Sequence, residues 1–176
     1  MALKPTIYKT HIDLSDMDRE VYNSFNLTLA QHPSETIERM MVRVIAYCLN
    51  AHDGLQFTKG LSTPDEPDIW LKANDGLMTL WIDVGEPLPE RIKKATRVAT
   101  SVKIYTFNSK SDVWWNQNKK DFSALDVDVW QLQWGEVKKL AEMVERTMDF
   151  AVTVTERTIY ISSKNHQVSL ALVKLL

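Results

Sequence analysis

Residues 6–14 alternate along the chain. Ile7, Lys9, His11 and Asp13 fall on one parity, and Tyr8, Thr10, Ile12 and Leu14 on the other. A period of two marks a strand. Ser15-Asp16-Met17-Asp18 reads as a turn, after which Val21, Asn23, Phe25, Leu27 and Leu29 line one face of a second strand over 19–30. Together they predict an antiparallel N-terminal hairpin.

The period then lengthens. Ser34 as N-cap and Glu35 in the first turn predict a helix over 34–51, ended by His52-Asp53-Gly54. Ile37, Met40, Met41, Val44, Ile45 and Cys48 share one broad face, and Ala46, Tyr47 and Leu49 widen it almost all round. Such a helix belongs at the centre of a fold. A short strand over 55–58 and a Pro-rich loop over 62–67 lead to two strands, 68–73 and 77–84. Asn74-Asp75-Gly76 between them is a strong hairpin signal. Pro87 and Pro89 introduce a helix over 89–99, and a strand over 101–107 completes a βαβ step with parallel strands. The rest reads as helix 110–118, strand 125–133, helix 135–148 and strands 150–155, 158–163 and 168–174. The pattern predicts an α/β chain with a mixed sheet, in a single domain 1–176. Its α-β-β-β-α-β core covers 34–107, preceded by the β-hairpin 6–30 and followed by an α/β extension over 110–176.

Composition narrows the class. With 176 residues, 44% hydrophobic and 25% charged, the chain is neither disordered nor fibrous. A net charge of −2 argues against purely electrostatic binding to nucleic acid. The single cysteine, Cys48, leaves no intrachain disulfide and no thiolate zinc site. The N-terminus shows no leader pattern, and the apolar stretch 37–49 is too short to span a bilayer and carries Glu38, Arg39 and Arg43. A cytoplasmic protein without membrane association, monomeric or weakly dimeric, is the expectation.

Several chemistries lack their residues. There is no Gly-rich phosphate loop and no GxSxG elbow. His11, His32, His52 and His166 have no HxH or HExxH spacing, so a His-ligated metal is not expected. Asp16, Asp18 and Glu20 are spaced like the start of a calcium loop but lack its glycine and distal Glu, which leaves a polar turn.

What remains is acidic. Counting outward from the Asn74-Asp75-Gly76 turn, Ala73 meets Leu77 and Lys72 meets Met78, so Asp68 falls opposite Ile82, one residue from Asp83. Two carboxylates among Ile69, Trp70, Trp81 and Ile82 repel in a poorly solvated place. A hard divalent cation with oxygen ligands relieves that repulsion. The competing explanation is that strand-end Asp residues cap turns. Glu38 lies at the edge of the apolar helix stripe with Val42 at i+4, whereas Glu35 points to the polar side and can pair with Arg39.

A set of segments carries a family resemblance: His32-Pro33-Ser34-Glu35-Thr36 with Glu38-Arg39-Met40-Met41, Asp65-Glu66-Pro67-Asp68 with Trp70-Leu71, and Leu80-Trp81-Ile82-Asp83-Val84-Gly85 with Pro87. Arg91-Ile92-Lys93-Lys94-Ala95, Tyr105-Thr106 and Trp114-Trp115 continue it. The chain resembles the YaeQ family, and its core resembles the PD-(D/E)xK nuclease superfamily. That resemblance implies Glu38 (less readily Glu35) as the helix carboxylate, and Asp68 and Asp83 as the strand carboxylates. It further implies Mg²⁺ or Mn²⁺ held by Glu38, Asp68, Asp83 and the Val84 carbonyl, with DNA or RNA as substrate. The superfamily lysine is missing: two residues after Asp83 stands Gly85. Lys103 on the neighbouring strand is the first candidate to replace it as the fourth catalytic residue, followed by Lys72, Lys93 and Lys94.

Two functions follow. The first is a metal-dependent phosphodiesterase with Glu38, Asp68, Asp83 and Lys103 as its catalytic set. The second is a catalytically inactive nuclease-fold binding or regulatory module, favoured by Gly85 and the acidic net charge. The second expects the double replacement of Asp68 and Asp83 by Ala to be neutral or stabilising, since close carboxylates without an ion repel.

Overall fold

The computed structural model describes residues 3–176, with Ser62 described by its backbone alone. In chain order the elements are β1 (Thr6–Asp16), β2 (Val21–Gln31), α1 (Ile37–Leu49), β3 (Gln56–Phe57), β4 (Ile69–Lys72), β5 (Met78–Val84), α2 (Pro89–Val98) and β6 (Ala99–Thr106). They continue with α3 (Ser111–Phe122), β7 (Asp128–Leu132), α4 (Trp134–Ala141), β8 (Thr147–Thr155), β9 (Thr158–Ser162) and β10 (Gln167–Lys174). The chain divides into two compact units, Met1–Ala51 with Gln133–Leu172, and His52–Leu132 with Val173–Leu176.

In the first unit the strand order is β2-β1-β8-β9-β10. β1 and β2 pair antiparallel from Thr6↔Gln31 to Asp16↔Val21, as the alternation predicted. β1 also runs parallel to β8, and β8-β9-β10 form an antiparallel meander. Alternate residues of β1 and β8 are buried, Ile12, Leu14, Phe150 and Val152 among them, so one face is core and the other solvent. The first hairpin is longer than its sequence suggested. Asp16 is buried and its carboxylate accepts the Arg19 N–H at 3.1 Å, which moves the turn beyond it. Arg19 then donates to the Leu49 and Ala51 carbonyls, each at 2.9 Å, and so ties off the end of α1. Asp18 accepts the N–H groups of Glu156 and Arg157, whose φ angles of 49° and 58° make the β8–β9 turn. The polar turn is thus a structural clasp.

α1 starts later than predicted. Its N-cap is Thr36, which accepts the Arg39 N–H at 3.1 Å, and the Ser34 hydroxyl instead lies 2.6 Å from His32 Nδ1. Glu35 therefore precedes the helix. It is buried beneath α1 rather than on its polar side, bound by Arg43 and Arg39. Nearly all of α1 from Met40 to Leu49 is buried, and it packs on α4 and β2.

In the second unit the order is β7-β6-β5-β4-β3. β5 and β6 are parallel, as the βαβ reading required, β7 runs parallel to β6, and β4 and β3 are antiparallel. α2 and α3 cover one face, where Ile92, Ala95, Trp114 and Phe122 meet Trp81, Val102, Ile104 and Val129. A β-bulge sits in the β4–β5 hairpin: Leu71 pairs with Leu80 and Lys72 with Met78, leaving Thr79 as the extra residue. It shifts the register by one, so Ile69 rather than Asp68 pairs with Ile82. Each unit thus carries a five-stranded mixed sheet, and the described residues form four α-helices.

Candidate functional site

Because of the bulge, Asp68, just before β4, lies beside the end of β5 that carries Asp83. The Asp68 N–H donates to the Ile82 carbonyl at 2.9 Å, and Asp68 Oδ2 accepts the Val84 N–H at 2.8 Å. Both carboxylates are buried, with residue exposures of 5% and 3%. Sequence spacing had placed them one residue apart. The structure brings them together.

A third residue joins them. Asp83 faces α2, where Arg91 forks onto it with Nε 2.6 Å from Oδ2 and Nη2 3.1 Å from Oδ1. The same guanidinium donates to the Glu66 carbonyl at 2.7 Å and to the Pro64 carbonyl. Its central carbon stands 5.4 Å from the Trp81 ring centre. Burial pushes the Asp83 carboxyl above its ordinary value, and the neighbouring Asp68 charge adds to that. The Arg91 hydrogen bonds and charge pull the other way. Arg91 was legible in the sequence as part of Arg91-Ile92-Lys93-Lys94, but its role depends on how α2 lies on β5.

The lysine candidates of the second unit have other settings. Parallel pairing sets Ile82 beside Lys103 and Asp83 beside Ile104. Side chains alternate along a strand, so Lys103 occupies the sheet face opposite Asp83. Lys72 stacks its ammonium 3.7 Å above the Trp70 ring. Lys93 and Lys94 are exposed on α2. Glu38 is half-buried on α1 in the first unit, while Glu35 is held by two arginines. Gly85, at the motif-lysine position, has φ 113°, a conformation that residues with a side chain rarely adopt. A lysine there would be strained by the backbone geometry, although the space around the glycine is open.

The donor set can be tested against the divalent cation that the nuclease resemblance implies. Both Asp83 oxygens accept from Arg91, and one Asp68 oxygen accepts from Val84. As arranged, the Arg91 guanidinium neutralises Asp83 and fills the cationic position beside it, and these residues do not fit a metal centre. The adjoining buried carboxylates are the feature that such a centre would share.

The fold and site define a mixed α/β protein with a buried pair of aspartates and a partly exposed arginine where a strand hairpin meets a helix. The chain belongs to the YaeQ family, whose model, described as YaeQ protein, matches residues 1–172. It is 41% identical over 174 residues to proteins named "Uncharacterized protein YaeQ" from Salmonella typhi and Escherichia coli (strain K12). The matches cover 98% of this chain and 96% of each relative. The crystal structure of YaeQ protein from Xanthomonas axonopodis pv. citri superposes with a TM-score of 0.94 at 33% identity, covering 97% of this chain and 98% of that one. That from Pseudomonas syringae gives 0.93 at 32% identity, covering 98% and 96%. No helix among the described residues is long and apolar enough to cross a membrane.

Proposed function

We propose that this chain is a non-catalytic binding or regulatory module built on a nuclease-like framework. The Arg91 fork on Asp83 carries the reading: the cationic position beside the carboxylate pair is filled by a side chain of the protein itself. Gly85 at the motif-lysine position and Lys103 on the opposite face support it. Nucleic acid is the partner class, met through phosphates by the exposed Lys93, Lys94 and Arg97 of α2. The decisive experiment is calorimetric titration of Mn²⁺ into the wild type and Asp83→Ala, with fluorescence anisotropy on labelled DNA and RNA beside it. The reading expects no saturable Mn²⁺ site that depends on Asp83. It also expects nucleic-acid binding that weakens in a Lys93→Ala, Lys94→Ala variant, with a shallower salt dependence. Saturable Mn²⁺ binding lost in Asp83→Ala overturns it.

A second reading rests on the adjacency of Asp68 and Asp83. In it the chain is a metal-dependent phosphodiesterase using Mg²⁺ or Mn²⁺, with the Val84 carbonyl as a further ligand. It requires the Arg91 fork to open and a lysine other than Lys103 to serve the site.

A further inference from the structure

A second cluster lies on the solvent face of the first unit's sheet. β1 and β8 run parallel with His11 directly beside Asp149, and Asp13 follows two residues along β1 on the same face. One ligand atom from each of the three lies within 4.8 Å of the other two. His11 Nε2 and Asp13 Oδ1 are 3.3 Å apart. A tetrahedral zinc-type ion with bonds of ~2.0–2.1 Å holds its ligand atoms about 3.3–3.4 Å apart. These two atoms already stand at that separation.

The surroundings fix the imidazole. Asn26, opposite His11 on β2, sets its Oδ1 3.1 Å from His11 Nδ1. An amide oxygen can only accept, so the ring proton sits on Nδ1 and the other nitrogen turns toward Asp13 and Asp149. Without a proton, Nε2 would present its lone pair to a carboxylate oxygen at 3.3 Å, which is repulsive. A cation between them, either a second ring proton or a metal ion, removes that repulsion. The Ser24 hydroxyl donates to Asp13 and orients that carboxylate as Asn26 orients the ring. Outer partners of this kind are what metal-ligating His and carboxylate residues use. A hollow of about 550 Å³ opens beside the trio, lined in part by His11, Asn26 and Asp149, with room for solvent ligands. Lys9 lines the same hollow but forms no ion pair with either carboxylate among the described residues.

We propose that His11, Asp13 and Asp149 form a binding site for a divalent transition-metal ion of the zinc class, held by one imidazole nitrogen and two carboxylates. The nitrogen ligand selects zinc-like ions over Mg²⁺ and Ca²⁺, which prefer all-oxygen shells. The sequence concealed this site because its third ligand comes from a strand far along the chain, and its first two form an H-x-D rather than an HxH spacing.

The test is calorimetric titration of Zn²⁺, with Mg²⁺ as comparison, into the full chain and three variants: His11→Gln, Asp149→Asn and Asp83→Ala. The ligands are exposed, so the first two variants fold, which far-ultraviolet circular dichroism checks. The expected result is one Zn²⁺ per chain, affinity reduced at least tenfold in His11→Gln and in Asp149→Asn, unchanged affinity in Asp83→Ala, and no matching Mg²⁺ site. No saturable Zn²⁺ binding overturns the proposal, as does binding that survives both ligand variants. Binding lost in Asp83→Ala alone also overturns it, and assigns the ion to the buried carboxylate pair instead.

Discussion

Arg43 closes a fork on Glu35 eight residues earlier, with Nε 2.7 Å from Oε1 and Nη2 2.8 Å from Oε2. Both side chains are almost wholly buried, and Arg39 adds a third bond at 2.9 Å. The Arg43 Nη2 also donates to the Ala30 carbonyl, so the cluster joins the end of β2 to α1. Breaking a buried pair strands a charge, at a cost of about 3–5 kcal/mol. Glu35→Ala and Arg43→Ala are each expected to lower the unfolding free energy, measured by urea denaturation, by an amount of that order. Arg43→Lys should recover only part of it, because an ammonium cannot make the fork. Equal stability of Glu35→Ala and wild type would show the cluster to be ornamental.

Arg91 and Asp83 form the corresponding fork in the second unit, but the Arg91 side chain is 33% exposed. Asp83→Ala is therefore expected to cost less, about 1–2 kcal/mol, since water solvates part of the stranded guanidinium. Asp68→Ala leaves the buried Val84 N–H without this acceptor and should cost about 1–3 kcal/mol. The double variant is thus expected to be destabilised, whereas two unneutralised carboxylates would make it neutral or stabilising. Arg91 supplies the ion that the sequence argument lacked. Chemical denaturation of the three variants measures this directly.

The pH dependence of stability follows from the direction of the Asp83 shift. Its folded-state value stands above the ordinary 3.8, so between the two the folded chain holds more protons than the unfolded one. Stability contributed by this group is complete below 3.8 and is lost as pH rises through the folded value. Asp83→Asn keeps an oxygen for Arg91 and removes the titration. Urea midpoints measured across the acid range should show a falling component in the wild type that is missing in this variant. Identical slopes would refute the assignment.

Gly85 carries a prediction with the opposite logic to a motif repair. Restoring a lysine two residues after Asp83 looks like a route to activity, yet φ is 113° there. Gly85→Lys and Gly85→Ala should each lose about 1–3 kcal/mol from backbone strain, with little difference between them because the space around the glycine is open. A fully stable Gly85→Lys protein would mean that the turn relaxes.

The period of two and the Asn74-Asp75-Gly76 signal were enough to reveal the first hairpin, the β4–β5 hairpin and the parallel β5–β6 step, because each is local or set by a short connection. The pairing of β1 with β8 was not legible, since Lys9 and Thr147 have no shared local pattern. The same blindness hid Asp149 from His11. At the buried carboxylates the sequence came within one residue, and the unseen bulge at Thr79 accounts for the difference. Lys103 failed to join them for a reason of parity: Ile82 is its partner, and Asp83 points the other way. Glu35 was misplaced because Thr36, not Ser34, caps α1, and that choice depends on which hydroxyl reaches a helix N–H.

Cys48 offers a last test, one that separates packing from reactivity. It lies on the buried stripe of α1, and burial pushes its thiol up to about 12, with the Asp16 charge adding to the effect. The thiolate is the reactive form, so at pH near 8 the folded protein presents almost none of it, and the reagent cannot reach it. Native protein should therefore resist a thiol reagent such as an aromatic disulfide, and react fully once unfolded in urea. Glu35→Ala weakens the packing at the start of α1 and should speed modification under native conditions by raising the open population. Rapid labelling of the native wild type would place Cys48 at a surface, and with it the stripe that runs from Met40 to Leu49.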